Sequence, residues 1–314
     1  MERSKPGSRT IPLAELTVEN MPPELRKTTY INTIPGDPVF RDLFEREDAC
    51  SVLDPLVHLQ EYLAAQLERK KQKLSSMREL SPPPSTIVTG NVTVFAEGPV
   101  DFHPAVLMGP KKGEGFLFLG KNCSITGASF DTSAGHVVLG AGSTAGPGST
   151  IAGPAWIGGK NEIRPGSYFR GNILTGNNCI FRCEAKHSIF LDDVQFPHPS
   201  YVGDSIMGYK SHFGNQATTA NVTLANAILA EEEWNSIVVN IGPLRVDTGL
   251  SKLGIIMGDH CQVGCGTVFD PGVFLGHSTW VYPLSLVESG FYGPSVVIKN
   301  RPARAGVQKV VPRR

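Results

Sequence analysis

The chain has 314 residues, and its 29 Lys and Arg balance 29 Asp and Glu, so the formal net charge is zero. Bulk nucleic-acid binding needs surplus cations to neutralise phosphates and is not expected; no apolar run approaches the roughly 20 residues of a membrane span. Hydrophobic residues make 40% and aromatics 8%, while Gly (34) and Pro (24) are abundant without a collagen period, which suits many short strands and tight turns.

The N-terminal stretch MERSKPGSRTIPLAEL lacks the basic-then-apolar pattern of a signal peptide. The expectation is therefore a cytoplasmic protein whose six Cys are reduced thiols. Residues 1–85 differ in texture from the rest. Leu53, Leu56, Leu59, Leu63 and Leu67 recur at helical spacing and predict an amphipathic helix over about 50–80. The basic run Arg69-Lys70-Lys71-Gln72-Lys73 reads as a solvated helix end, where cations suit the dipole, in preference to a nucleic-acid patch. Ser81-Pro82-Pro83-Pro84-Ser85 stops the helix and makes a stiff linker.

From 86 to 299 the sequence repeats. Leu139, Ala145, Ile151, Ile157, Ile163 and Phe169 are all apolar and six residues apart. Met257, Val263, Phe269, Leu275, Val281 and Val287 continue the count, and Phe190, Phe196, Val202, Met207 and Phe213 bridge the blocks with one step of five. Four places after an apolar residue stands a mostly small one: Ser143, Ser149, Ala155, Asn161, Ser167, and later Cys261, Thr267, Val273, Thr279, Ser285. A period of six is neither 3.6 nor 2. It fits a solenoid with three flat faces, one hexapeptide each, one apolar residue per face pointing inward. The expected fold is mainly β, a left-handed parallel β-helix (a hexapeptide-repeat prism) with a helical N-terminal segment.

Residues 221–254 break the period with Glu231-Glu232-Glu233, Trp234 and Ile237-Val238-Val239, and are expected to leave the prism as a loop or hairpin that helps build a binding face. Residues 300–314 form a basic, non-repetitive tail. Flat outer faces in such prisms pack against symmetry mates, so a homotrimer with sites between adjacent prisms is expected, and the N-terminal helix is a candidate cap for one end, where strand edges are unpaired.

The stretches EIRPGSYFRG, FRCEAKHS and FPHPSYVGDSIMGYKSHFGNQATTAN, with RVDTGLSKLGIIMGD further on, resemble the acetyltransferase half of bifunctional enzymes, especially archaeal ones, that join glucosamine-1-phosphate N-acetyltransferase to N-acetylglucosamine-1-phosphate uridylyltransferase. The resemblance covers roughly residues 86–300. It implies an acyltransferase that moves an acetyl or other acyl group from coenzyme A to the amine of a hexosamine phosphate. The other half of those enzymes opens with a strand and a Gly-rich, basic nucleotide-gripping loop. Residues 1–85 carry no such loop, so nucleotidyl transfer is not expected.

Carried over by motif, His198 falls on the family's general base, a role that suits a group titrating near 6.5 when an amine attacks a thioester. Arg164 falls on a phosphate-binding arginine and Lys186 on a second phosphate cation. Tyr201 and Asn221 fall on sugar-hydroxyl contacts, although Asn221 reads equally well as a turn residue. The family threads acetyl-CoA along the groove between prisms. Cys265, Val281 and Tyr282 would then meet the pantetheine arm, backbone N–H groups there could hold the oxyanion, and Lys299 and Arg301 would meet the phosphates. The chain departs from the family at His212, where an Asn contacts the sugar, at the turn Gly214-Asn215-Gln216-Ala217-Thr218, and at Cys265.

Two further readings stand beside this one. The altered pocket allows a non-catalytic prism that binds a sugar phosphate or sugar nucleotide. The γ-class carbonic anhydrases share the prism and bind zinc through three His, but their close His pair is absent among His187, His198, His212, His260 and His277. Cys179-x3-Cys183 and Cys261-x3-Cys265 lack zinc-site spacing, and Cys123 and Cys261 occupy small inward positions. No metal is expected.

Overall fold

Each hexad folds into one short strand and one bend, and three hexads close one coil. The computed structural model, which describes residues 10–46, 49–242 and 244–299, is a left-handed β-helix. The three faces are called A, B and C in the order the chain visits them. Face B is a ten-stranded sheet running from Asp101–Phe102 to Val297–Ile298. Faces A and C belong to one 19-stranded sheet, because Glu184–Phe190 and Tyr201–Met207 run continuously round the corner between them. They turn that corner at His187 and Asp204, whose φ values are +46° and +49°.

The inward residues are those of the hexad count. Leu139, Ala145, Ile151, Ile157, Ile163 and Phe169 are at most 2% exposed, and Met257, Val263, Phe269, Leu275, Val281 and Val287 at most 3%. All twelve share one core with Phe190, Phe196, Val202, Met207 and Phe213. The rhythm shortens between Phe181 and Phe190, where the small Ala185 faces inward. There Phe169, Phe181, Phe190, Phe196, Phe213 and Phe269 stack along the axis with neighbouring centroids 4.6–5.7 Å apart. At the A–B corner successive coils approach closely, and all but one of the later coils, which carries Leu191, have glycine there. A Cβ on Gly140 would lie 2.4 Å from the backbone of Gly158, and one on Gly258 would lie 2.6 Å from that of His277.

Face A differs from the other two on its outer side. Its outward residues include Phe118, Val138, Trp156, Leu174, Ile189, Ile206, Ile256 and Phe274, and the N-terminal segment covers them. Leu56, Leu59 and Leu63 pack on Leu174, Ile189 and Ile206, while Leu67 packs on Phe118 and Val138. The helix predicted over 50–80 is shorter and broken: it comprises Asp54–Val57 and Leu59–Lys71. It lies along a face and not across an end. The prism's open edge is taken instead by Arg78–Leu80, antiparallel to Val92–Ala96. The basic run is partly pinned down, because Lys70 pairs with Glu97 and Lys71 sits over the Phe116 ring. The helix is held by the face beneath it, which continues past its end.

Asp259 fastens this segment. One carboxylate oxygen accepts the N–H groups of Asn32 and Thr33, at 2.8 and 2.9 Å, and the other accepts that of Tyr209. After Thr219 on face C the chain leaves the prism and returns at Ile255 on face A. The excursion contains the hairpin Val238–Ile241 and Leu244–Asp247, to which Thr10–Pro12 adds a parallel third strand. Ile237, Val239, Ile241 and Val246 turn inward onto face A. Among the described residues no helix is long and apolar enough to cross a membrane.

Candidate functional site

The repeat places polar residues that are distant in sequence on common edges. Arg164, Cys265, Tyr282 and Lys299 each follow closely on an inward or strand-end residue of face B, and His198 lies in the loop after Phe196. All five therefore fall on the B–C edge. Backbone hydrogen bonds join neighbouring coils there: the Gln216 N–H donates to Pro199, that of Gly266 to Asn215, and that of Leu284 to Cys265, each at 2.9 Å.

At this edge His198 is exposed and His212 is half-buried. Burial, and then the nearby His198, hold the His212 imidazole below its ordinary value. The Arg164 guanidinium donates to both oxygens of Glu162, at 2.9 and 3.2 Å, and to the Pro197 carbonyl at 3.1 Å. It thus braces the loop that carries His198, and an incoming phosphate would compete with Glu162 for it. Cys265 is exposed. Lys299 Nζ lies 4.7 Å from the Tyr282 ring centroid. The Val281 side chain points into the core, so it offers the edge only its backbone. Arg301 lies outside the described residues.

Lys186, Tyr201 and Asn221 form a second group on face C and its far corner with face A. Lys186 lies in register with Gly203. Asn221 hydrogen-bonds the Tyr201 side chain and donates from Nδ2 to Asp204 Oδ2 at 2.5 Å. Burial, then the Asp204 charge, pushes the Tyr201 phenol up. A Cβ on Gly203 would lie 2.5 Å from the Tyr201 hydroxyl and 2.8 Å from Asn221 Nδ2, so this trio closes only over glycine. The structure therefore places Arg164, His198 and His212 towards the B–C edge and Lys186 and Asn221 towards the C–A corner, with Tyr201 at the start of the face C strand between them.

Sequence reasoning missed a cleft of about 330 Å³ at the C–A corner. His187, Asp204, Trp234, Lys252 and Leu56 are among its walls, so prism, inserted segment and N-terminal segment all contribute. Asn172, His187 and Asp204 occupy equivalent positions on successive coils, all with positive φ. A signal existed: the positions just before Ile173, Ser188 and Ser205, equivalent to Pro154, Gly254 and Gly272 on other coils, hold side chains that can bond. Among the described residues no cluster of three His, Cys, Asp or Glu is arranged to hold a metal.

No family model matches the chain. It is 34% identical over 138 residues to the bifunctional protein GlmU of Methanocaldococcus jannaschii, a stretch covering 44% of this chain and 31% of that protein. It is also 34% identical over 126 residues to the bifunctional sugar-1-phosphate nucleotidylyltransferase/acetyltransferase of Sulfurisphaera tokodaii, covering 40% and 29%. An uncharacterized acetyltransferase, YaiX, of Escherichia coli O6:K15:H31 is 25% identical over 182 residues, covering 56% of this chain and 74% of that protein. The matched stretch thus spans about a third of the bifunctional relatives. In sequence and in its hexapeptide coil, the chain is similar to the acetyltransferase part of these proteins.

Proposed function

We propose that the chain is an acyltransferase that moves an acetyl group from acetyl-CoA to the amine of a hexosamine phosphate. The observation that carries this reading is the B–C edge, where an exposed imidazole, His198, stands on a loop braced by Arg164 and is followed along the prism by Cys265, Tyr282 and Lys299. Coenzyme A lying along that edge would set its thioester near His198. The amine nitrogen attacks the thioester carbon, His198 takes the proton the nitrogen sheds, and the carbon–sulfur bond breaks, the departing thiolate taking that proton from His198 to leave as the thiol. Backbone N–H groups at the edge are the candidate stabilisers of the oxyanion.

Among the described residues face A has a covering segment, and none lies over most of faces B and C. A second and third copy packing through B and C would convert each edge into a groove, so the working form is read as a homotrimer in the cytoplasm. Lys186, Tyr201 and Asn221 on face C would hold the sugar phosphate. The test is thiol release from acetyl-CoA with glucosamine-1-phosphate. The expected result is turnover by the wild type and a loss of at least a hundredfold in His198→Ala. Turnover untouched by that substitution removes His198 from the role of base.

One observation favours a non-catalytic prism: Arg164 is already closed on Glu162. Calorimetry separates the two readings, since sugar-phosphate binding without coenzyme A binding would select the second.

A further inference from the structure

The cover of face A is incomplete towards the A–B corner. A cavity of about 240 Å³ lies there, walled by Asp37 and Lys70 of the N-terminal segment, by Trp156 on face A and by Ala141 at the corner. The width of face B separates it from the edge with His198, and no group of the reaction above lines it. Lys70 pairs with Glu97, which is also in the wall, so Asp37 sets the net charge. Asp37 Oδ1 accepts the Val39 N–H at 2.9 Å and caps the helix Pro38–Phe44. Its other oxygen accepts nothing among the described residues.

Two donors line the same cavity without partners. At the A–B corner a backbone N–H is left over from the ladder between coils. Gly159 gives this N–H to Asn177 Oδ1 at 2.7 Å, and Asn177 gives its own to Asp192 Oδ1 at 2.6 Å. Further along, Asp259 and His277 give theirs to the Tyr30 and Thr29 carbonyls of the N-terminal segment, at 2.8 and 3.1 Å. Ala141 holds the equivalent place one coil before Gly159. Its N–H meets no acceptor among the described residues, because the next coil carries a glycine where a side chain would have to accept. The Trp156 ring is half-buried, and its indole N–H likewise has no acceptor among the described residues.

These groups select the ligand. An ammonium or guanidinium would answer Asp37 and leave both N–H groups unmet, whereas a phosphate or carboxylate would answer them and meet Asp37 with like charge. A saccharide carries hydroxyls on every side, and the Phe118 and Val138 parts of the wall offer them nothing. A flat ring with a donor beside an acceptor suits the carboxylate, the N–H groups and the indole face together. The volume, about 240 Å³, is below that of a drug-sized site, as suits one ring system. We infer that this cavity binds the adenine ring of a nucleoside or nucleotide. The ring stacks on Trp156, its exocyclic amine donates to Asp37, and a neighbouring ring nitrogen accepts from Ala141. This site stands or falls independently of the transferase reading.

The test is fluorescence titration of the full chain with adenosine. The chain has three Trp: Trp156, Trp234 and Trp280. Saturable quenching is expected in the wild type and in Trp234→Phe, and its loss in Trp156→Phe. Adenosine dimethylated on its amino group keeps the ring nitrogens but cannot donate, and should bind about tenfold more weakly, as for one lost hydrogen bond to a carboxylate. Asp37→Ser keeps a good helix cap and should weaken adenosine by a similar factor while leaving the dimethylated nucleoside where it was. Thermal unfolding confirms that the variants are folded; should Trp156→Phe or Asp37→Ser fail to fold, the two nucleosides compared on the wild type still decide. No saturable quenching at millimolar adenosine, quenching that persists in Trp156→Phe, or equal binding of the two nucleosides overturns the inference.

Discussion

Faces A and B are built from the same hexads, with the same kind of inward residue, and differ in the one residue per hexad that points outward. On A these are Trp156, Leu174, Ile189, Ile206, Ile256 and Phe274; on B they include Thr144, Glu162, Gln195, His212 and Gln262. Face A acquires a second core, in which the N-terminal helix and the inserted hairpin bury their apolar sides. Among the described residues face B has no such cover along most of its length, and it carries the edge with His198. The inward residues therefore specify the coil, while the outward column specifies which face is structural and which is free for ligands or further copies. Face B itself changes towards its end, where Trp280 and Val297 are more than half exposed; that is the part of the edge proposed to meet coenzyme A.

The strongest way to break this comparison is to truncate an outward residue of face A. Phe274→Ala should destabilise the protein by about 3–5 kcal/mol, as for a buried Phe in any core. The same change at Gln195 on face B should stay within about 0.5 kcal/mol. Urea unfolding measures both. A small effect at Phe274 would mean that the N-terminal segment is not a structural layer.

Asp259 tests how that layer is attached. Removing its carboxylate leaves the N–H groups of Asn32, Thr33 and Tyr209 without their acceptor, at a cost of roughly 3 kcal/mol. Asp259→Asn should cost less, because its remaining carbonyl oxygen can still accept from Asn32 and Thr33 and only the Tyr209 N–H would face the amide nitrogen. Limited proteolysis should then cut first between residues 13 and 36. Cleavage elsewhere in either variant would show that Asp259 serves the coil and not the strap.

Much of the coil could be read from the sequence, because each inward residue is fixed by a period that no helix or hairpin shares, and the core runs through Leu139, Ile157 and Val263 as counted. The partner of face A could have been read as well. Trp156, Leu174 and Ile256 stand one place before an inward residue, at every third hexad, and an apolar column there needs a cover. The helix end could not: Leu74 and Met77 continue the apolar spacing, but they pack with Leu67, Phe118 and Val138 from a 3-10 turn and the link to the strand Arg78–Leu80. Of the candidate site, the motif residues were visible singly. Their division between two edges was not, because it depends on where the coil turns each corner, and the steps of four and five between Phe181 and Met207 shift that phase. The cleft was least legible, since Trp234 and Lys252 reach it only through the fold of the insertion.

Protonation gives the smallest effect and separates the faces most finely. Burial is the first cause that holds His136 and His187, both bonded to the N-terminal segment, and His212, on face B, below the ordinary histidine value. In the unfolded chain these rings take up protons near pH 6.5, whereas in the folded chain they stay neutral to lower pH. The unfolded state then binds more protons, so stability is complete above about pH 6.5 and declines as pH falls through that value and on to the folded values. Below that range Asp192 and Asp259, which burial raises, act in the opposite direction, because the folded state then takes up protons first. The urea midpoint should therefore drop between pH 7.5 and 5.5 and flatten further down. His136 has the most to lose, since Nδ1 accepts the Phe116 N–H at 3.2 Å while Nε2 meets Glu68 of the covering helix at 3.1 Å. A proton on Nδ1 abolishes the first of these bonds. His136→Gln should flatten the pH slope more than His212→Gln does, and a slope indifferent to His136 would mean that the helix does not hold that ring neutral.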